Sequence, residues 1–250
     1  MWSHSSIGSE RLATDEKVEG SNPSGTSTIA RRKITLSKII IVDTGSSNIL
    51  SLKRAVEIFD NNVEVTTNSN KILSANKIFF PGVGAFKKVM EKLEKNKLTE
   101  TLIKTRDKKI PLLGICLGLQ LFFNTSEEFG KSNGLGLIKG NVKKLPSISQ
   151  KNERLKIPNM GWFKLNLNNQ FSNNNFSNFV KSINENNLYY FVHSFFVDPT
   201  EKKDIAAFYD FGGHKIPAIV SKDNFIGCQF HPEKSGKKGL EIISNFLKLS

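Results

Sequence analysis

Two short stretches carry residue types that could do chemistry together. The first is Gly114-Ile115-Cys116-Leu117-Gly118, a cysteine with a glycine two residues before it and another two after. It closes an apolar run (Ile110, Leu112, Leu113, Ile115) and opens a helix-like segment, Leu119-Gln120-Leu121-Phe122-Phe123. This is the G-x-nucleophile-x-G pattern of a nucleophile elbow: buried strand, tight turn, helix. Such a turn lifts the side chain of residue 116 out of the sheet, and small neighbours make room for a strained backbone. The new helix brings free N–H groups and a positive dipole end near the sulfur, which favours thiolate. The N–H of Leu117 can point at a developing oxyanion. The second stretch is His231-Pro232-Glu233, at the end of an apolar run. Imidazole can take the thiol proton and later give it to a leaving amine. A carboxylate two residues on can hold the ring tautomer and stabilise imidazolium, and Pro232 stiffens the turn between them. Each stretch alone also has a plainer reading. A cysteine in an apolar run is usually a small core hydrophobe, and His/Glu pairs near turns are common.

The rest of the chain must position these groups. Ile39–Val42 is wholly apolar and β-branched, as in a buried parallel strand. A turn at 43–47 follows, with Asn48 as an N-cap and Ile49, Leu52, Ala55, Val56 and Phe59 at helical spacing. Further strands are expected at 63–66 and 78–80. This rhythm predicts an α/β fold: an open, mostly parallel sheet flanked by helices. In Pro81-Gly82-Val83-Gly84-Ala85-Phe86 the two glycines let the backbone approach a ligand. The Val83 N–H is therefore a candidate second oxyanion donor, and an ordinary strand-to-helix turn is the alternative. Helices over 85–96 and 99–109 lead to the cysteine strand, and open α/β sheets place their sites at C-terminal strand ends.

After the elbow, residues 137–168 lose helical periodicity and read as strands joined by turns. Trp162, in Pro158-Asn159-Met160-Gly161-Trp162, reads as core packing, with a partner surface as the alternative. Residues 166–178 are Asn-rich and read as a loose insertion. A strand is expected over 188–197, with His193 as a satisfied sheet histidine and Ser194 on the opposite face. Strands at 205–209, 216–220 and 225–230, with a hairpin-like turn at Gly212-Gly213, predict an antiparallel section in the C-terminal half. His214 reads as exposed and idle, and Ser235 as the cap of a closing helix faced by Leu240, Ile243, Phe246 and Leu247.

At 250 residues, one sizeable core is allowed. Residues 1–36 differ from the rest: rich in Ser, Gly and Thr, with no period and no signal-peptide core. They are expected to be a disordered or spurious N-terminal extension, leaving 37–250 as the folded domain. Gly20-Ser21-Asn22-Pro23 can be encoded by the T-arm consensus of a transfer RNA gene, which fits a start placed too far upstream. No apolar run approaches the roughly 18 residues of a membrane span. The net charge of +13 comes from lysines scattered among acids, so no nucleic-acid partner is expected. Cys116 and Cys228 form neither a disulfide framework nor a zinc spacing, which suits a reducing cytoplasm.

Taken together, Gly114-Ile115-Cys116-Leu117-Gly118-Leu119-Gln120 and Gln229-Phe230-His231-Pro232-Glu233 resemble class I (triad-type) glutamine amidotransferases. With residues 81–86, 158–162, 190–194 and 231–236, the chain is most similar to the glutaminase subunits of imidazole glycerol phosphate synthases. The resemblance implies that Cys116 attacks the carboxamide of L-glutamine, His231 is base and then acid, and Glu233 orients it. It implies that Leu117 and Val83 supply oxyanion N–H groups and that Gly82, Gln120 and Ser194 contact substrate. No cofactor or metal is implied. Ammonia would pass to a (β/α)₈ cyclase subunit in a heterodimer of histidine biosynthesis. Departures at Thr44, Ser46, Ser47, Asn159 and Phe163 lie outside the triad and bear on the partner. A sugar amidotransferase as ammonia acceptor, and a catalytically silent glutamine-binding or scaffold subunit, stay open as alternatives.

Overall fold

A strand covered on both faces must be apolar at every position, and the first strand shows the consequence. In β1 (Ile39–Val42) Ile39 and Ile41 enter one core, and Ile40 and Val42 enter another on the opposite face of the sheet. The structure, a computed structural model, describes residues 38–45 and 48–249. The extension expected over 1–36 lies outside the described residues. β2 (Val63–Thr66), β3 (Lys77–Gly82) and β4 (Leu112–Cys116) run parallel to β1 in the order β2-β1-β3-β4. Helix α1 (Ile49–Glu57) buries Ile49, Leu52, Ala55 and Val56 against the first core. Helices α2 (Ser69–Leu73), α3 (Phe86–Lys95) and α4 (Leu98–Asp107) cover the second, through Ile72, Phe86, Val89, Met90, Leu93, Leu98 and Leu102.

Beyond the one-turn helix α5 (Leu117–Gln120), the chain builds short strands β5 (Thr125–Ser126), β6 (Ser132–Asn133) and β7 (Gly140–Lys144). β8 (Asn159–Lys164) and β9 (Asn166–Leu167) follow, then α6 (Ser177–Lys181), β10 (Leu188–His193) and β11 (Phe195–Pro199). β12 (Ile205–Phe211), β13 (His214–Lys222) and β14 (Phe225–Cys228) return to the main sheet before the closing helix α7 (Gly236–Leu247). The eight-stranded sheet has the order β2-β1-β3-β4-β14-β13-β12-β9. Its first five strands are parallel; β13, β12 and β9 continue antiparallel. The expected parallel sheet with an antiparallel C-terminal section is therefore the fold observed. Two smaller sheets, β10-β8 and β11-β7-β5-β6, lie beside it in the hydrogen-bond pattern. No helix among the described residues is long and apolar enough to cross a membrane.

Four local expectations need correction here. The strand expected over 188–197 breaks at Ser194 into β10 and β11, which pair in different sheets. His214 is not idle: its Nε2 lies 2.8 Å from the Ile148 carbonyl. Ser235 sits at the start of α7 but does not cap it; its hydroxyl donates to the His231 carbonyl (2.7 Å) and accepts from the Tyr190 N–H (2.9 Å). The Asn-rich stretch is not loose. β9 pairs with β12, the Asn168 amide donates to the Ile205 carbonyl, and Asn173 donates to Ser221 Oγ. Asparagine side chains imitate backbone groups, so they can satisfy buried chain ends without any periodic pattern. Phe176 anchors the stretch, fully buried and edge-on to Phe179. Phe176→Ala should therefore cost about 3–5 kcal/mol in urea unfolding, whereas a loosely attached insertion would register almost nothing.

Candidate active site

The backbone at Cys116 has φ 53° and ψ −108°, in the region that side-chain-bearing residues avoid. The glycines on either side explain how the chain can turn there. A Cβ on Gly114 would lie 2.7 Å from the Phe122 ring and 2.8 Å from the Leu119 N, and one on Gly118 would overlap the Phe80 carbonyl. Helix α5 thus packs backbone-to-backbone on β3, with no side chain between them. The register pairs Gly82 with Cys116, so Val83 leaves the sheet one residue past the sulfur-bearing position. Leu117 opens α5 on the other side.

β14 lies beside β4 with Cys228 opposite Ile115. The next residue, Gln229, therefore comes beside Cys116, and its Nε2 lies 3.5 Å from the sulfur. The chain continues to His231, whose backbone N–H donates to the Tyr190 carbonyl (2.9 Å). His231 Nδ1 donates to Glu233 Oε1 at 2.8 Å. That bond commits one ring nitrogen and leaves Nε2 for the sulfur. Burial opposes charging the ring. Negative charge on the Cys116 sulfur, a hydrogen bond to it, and the Glu233 carboxylate outweigh that cost, and the His231 pKa is raised to about 10. The Glu233 side chain is almost fully buried, and Asn48 Nδ2 also donates to its Oε1. Asn48 occupies the N-cap position of α1 but makes no capping bond there.

A second histidine nearby has the opposite character. His193 Nδ1 donates to the Phe195 carbonyl (2.8 Å), and Nε2 accepts from the Tyr209 hydroxyl (2.9 Å). Tyr209 in turn accepts from Asn159 Nδ2. Burial dominates and lowers the His193 pKa to about 4, so this ring stays neutral and structural, as the sheet-histidine reading expects. Gln120 is buried, and its Nε2 donates to the Phe195 carbonyl (2.9 Å) and Gln229 Oε1 (3.1 Å). Ser194 is half-buried between β10 and β11, and its carbonyl accepts from the Leu145 N–H. The Val192 carbonyl lies 3.9 Å from Cys116 Sγ, which brings β10 against the site.

The structure thus gathers Cys116, His231, Glu233, Gly82, Val83, Leu117 and Gln120 where β3, β4 and β14 end. Asn48, Gln229 and Val192 join them, none of them having been read as a site residue. For Asn48 a signal existed, but it pointed to a cap. Trp162 corrects the core-packing reading. It is 51% exposed, beside Met160 at 63%, on the uncovered face of the β8–β10 pair. Among the described residues no cluster of His, Cys, Asp and Glu is placed to hold a metal ion.

The model of the glutamine amidotransferase class-I family matches residues 40–249. The chain belongs to that family. Curated relatives of this amidotransferase include the imidazole glycerol phosphate synthase subunit HisH of Methanocaldococcus jannaschii, 41% identical over 84% of this chain and 98% of that protein. The HisH subunit of Prochlorococcus marinus is 40% identical over 83% of this chain and 92% of its own length. Among solved structures, PurLQS from Thermotoga maritima superposes with a TM-score of 0.61 at 20% identity, covering 84% of this chain and 96% of that one. The glutaminase domain of Trypanosoma brucei CTPS gives 0.57 at 16%, covering 85% and 94%. At these identities the structures speak for the fold alone.

The amidotransferase site makes a pH prediction. In the unfolded chain an imidazole titrates near 6.5, and in the fold His231 titrates near 10. Folding therefore favours the imidazolium, and its stabilisation is complete below about pH 6.5 and lost as pH rises through 10. Imidazole resonances followed by NMR should show His231 charged well above neutrality. Cys116→Ala should lower that pKa, because the sulfur supplies the first of the raising interactions; an unchanged midpoint would mean the sulfur and ring are not coupled.

Proposed function

We propose that this chain is the glutaminase subunit of an imidazole glycerol phosphate synthase, using Cys116, His231 and Glu233 as its triad. Cys116 Sγ attacks the carboxamide carbon of glutamine, and the N–H groups of Leu117 and Val83 receive the developing oxyanion. His231 passes the proton to the departing nitrogen, releasing ammonia. Water then attacks the γ-glutamyl thioester, giving glutamate and free thiol. Glu233 holds His231 in the tautomer with Nε2 toward sulfur. Gly82, Gln120 and Ser194 contact the bound glutamine. The observation that carries the reading is the Glu233–His231 pair beside a cysteine in strained backbone at a strand end. The functional unit is residues 37–250, acting in the cytoplasm, with residues 1–36 outside it.

Ammonia passes to a (β/α)₈ cyclase subunit. Two things support this partner: the imidazole glycerol phosphate synthase subunits among the relatives, and the exposed face of the β8–β10 pair. There Met160, Trp162 and Tyr190 form an apolar strip, with Trp162 tilted against Tyr190 at 5.6 Å. Large aromatic anchors of this kind dominate interface energies. The strip adjoins the site because β10 also presents the Val192 carbonyl to the sulfur.

The test is glutamine hydrolysis by the lone chain and with a cyclase subunit of the same pathway. We expect little turnover alone, strong stimulation by the cyclase, and none from Cys116→Ser. Stimulation by a sugar amidotransferase instead would reassign the acceptor, and full activity of Cys116→Ser would refute the triad. Trp162→Ala should weaken cyclase binding at least about 30-fold, an aromatic hot-spot loss of about 2 kcal/mol or more, while leaving the melting temperature of the lone chain nearly unchanged.

A further inference from the structure

Asn48 breaks a local rule. It stands where a helix of nine residues begins, and asparagine is among the strongest N-caps. Its side chain nevertheless makes no capping bond, and α1 has no acidic residue in its first turn to compensate. The carboxamide turns instead to Glu233, 185 residues away, and donates through Nδ2 to Oε1. Only the amide NH₂ can make this bond, because a carboxylate only accepts. The same oxygen takes the His231 Nδ1 proton at 2.8 Å. Asn48 and His231 therefore converge on one atom of a nearly fully buried carboxylate. A rule broken locally in favour of a contact at a reacting centre is the pattern expected of a functional residue.

We propose that Asn48 is a positioning residue for catalysis: its hydrogen bond fixes the Glu233 carboxylate so that Oε1 holds the His231 ring with Nε2 toward Cys116. The proposal rests on the glutaminase reading given above. Without the amide, the carboxylate loses the donor that fixes its rotation. His231 then samples orientations in which Nε2 misses the sulfur. Binding of glutamine does not pass through this contact, so the loss falls on kcat rather than KM.

Asn48→Ser separates this role from a structural one. A serine hydroxyl is too short to reach Glu233, and because Asn48 makes no capping bond, its replacement removes none from α1. The expected result is a melting temperature close to that of the wild type and, in the glutaminase assay with the cyclase present, a slower turnover. kcat should fall about 10- to 100-fold, as for loss of a hydrogen bond to a charged group, with KM within about twofold. Asn48→Asp supplies a pH readout. Ionised, the new carboxylate repels Glu233; protonated, its O–H can donate to it. Its kcat relative to wild type should rise as pH falls. Wild-type kcat in Asn48→Ser, a kcat loss that tracks a lowered melting temperature, or a pH-independent ratio in Asn48→Asp would overturn the proposal. If the wild-type complex itself turns over no glutamine, the glutaminase reading fails and this inference fails with it. A wild type that is active, inactivated by Cys116→Ser and indifferent to changes at position 48 sinks the Asn48 role alone.

Discussion

Cys116 and Gln229 are 113 residues apart in the chain, and the contact between them exists because β14 inserts beside β4 in parallel register. That single strand pairing sets the geometry of the site. Strand neighbours lie about 4.8 Å apart, so once Cys228 stands opposite Ile115, the residues that follow have little freedom. Gln229 must face the sulfur, and His231 must arrive within reach of it. A slip of one residue would turn these side chains to the wrong face of the sheet. The register is held by burial. Phe225, Ile226 and Cys228 enter the two cores on alternate faces, together with Leu112, Leu113 and Ile115 across the ladder.

Around that pairing the molecule creates two histidines with opposed protonation. Both are buried. His193 has a carbonyl and a hydroxyl as partners, and neither can compensate a positive charge fully, so desolvation wins. His231 has a carboxylate on Nδ1 and feels the negative charge of the Cys116 sulfur, and the charges win. Environments that push like groups apart in pKa are how one site holds an acid–base group beside structural ones.

Much of this was legible in the sequence, for reasons that can be named. β1 and β4 are short apolar runs ending at glycine-bearing turns, and such runs have few other ways to be buried. The Gly114 and Gly118 spacing reports a backbone approach too close for any Cβ. What was not legible depended on tertiary choices between two local options. Asn48 could cap its helix or reach Glu233, and the buried carboxylate took it. Trp162, a tryptophan beside a glycine, read as core packing. In the β8–β10 pair only one face is covered, by Phe163, Tyr189 and Phe191, and the period of two puts Trp162 on the other. The Asn-rich stretch carried no periodic signal because its order comes from side-chain amides bonding to distant chain segments.

The positive φ at Cys116 bears on what would maintain the proposed nucleophile over generations. Glycine would adopt that conformation freely, whereas a side-chain-bearing residue there costs about 1–3 kcal/mol. A drift from cysteine to glycine would relax the turn and leave the sheet intact. Under the proposed glutaminase role, thermodynamic robustness and chemical competence pull in opposite directions at this position, and the thiol persists only as long as selection acts on turnover itself.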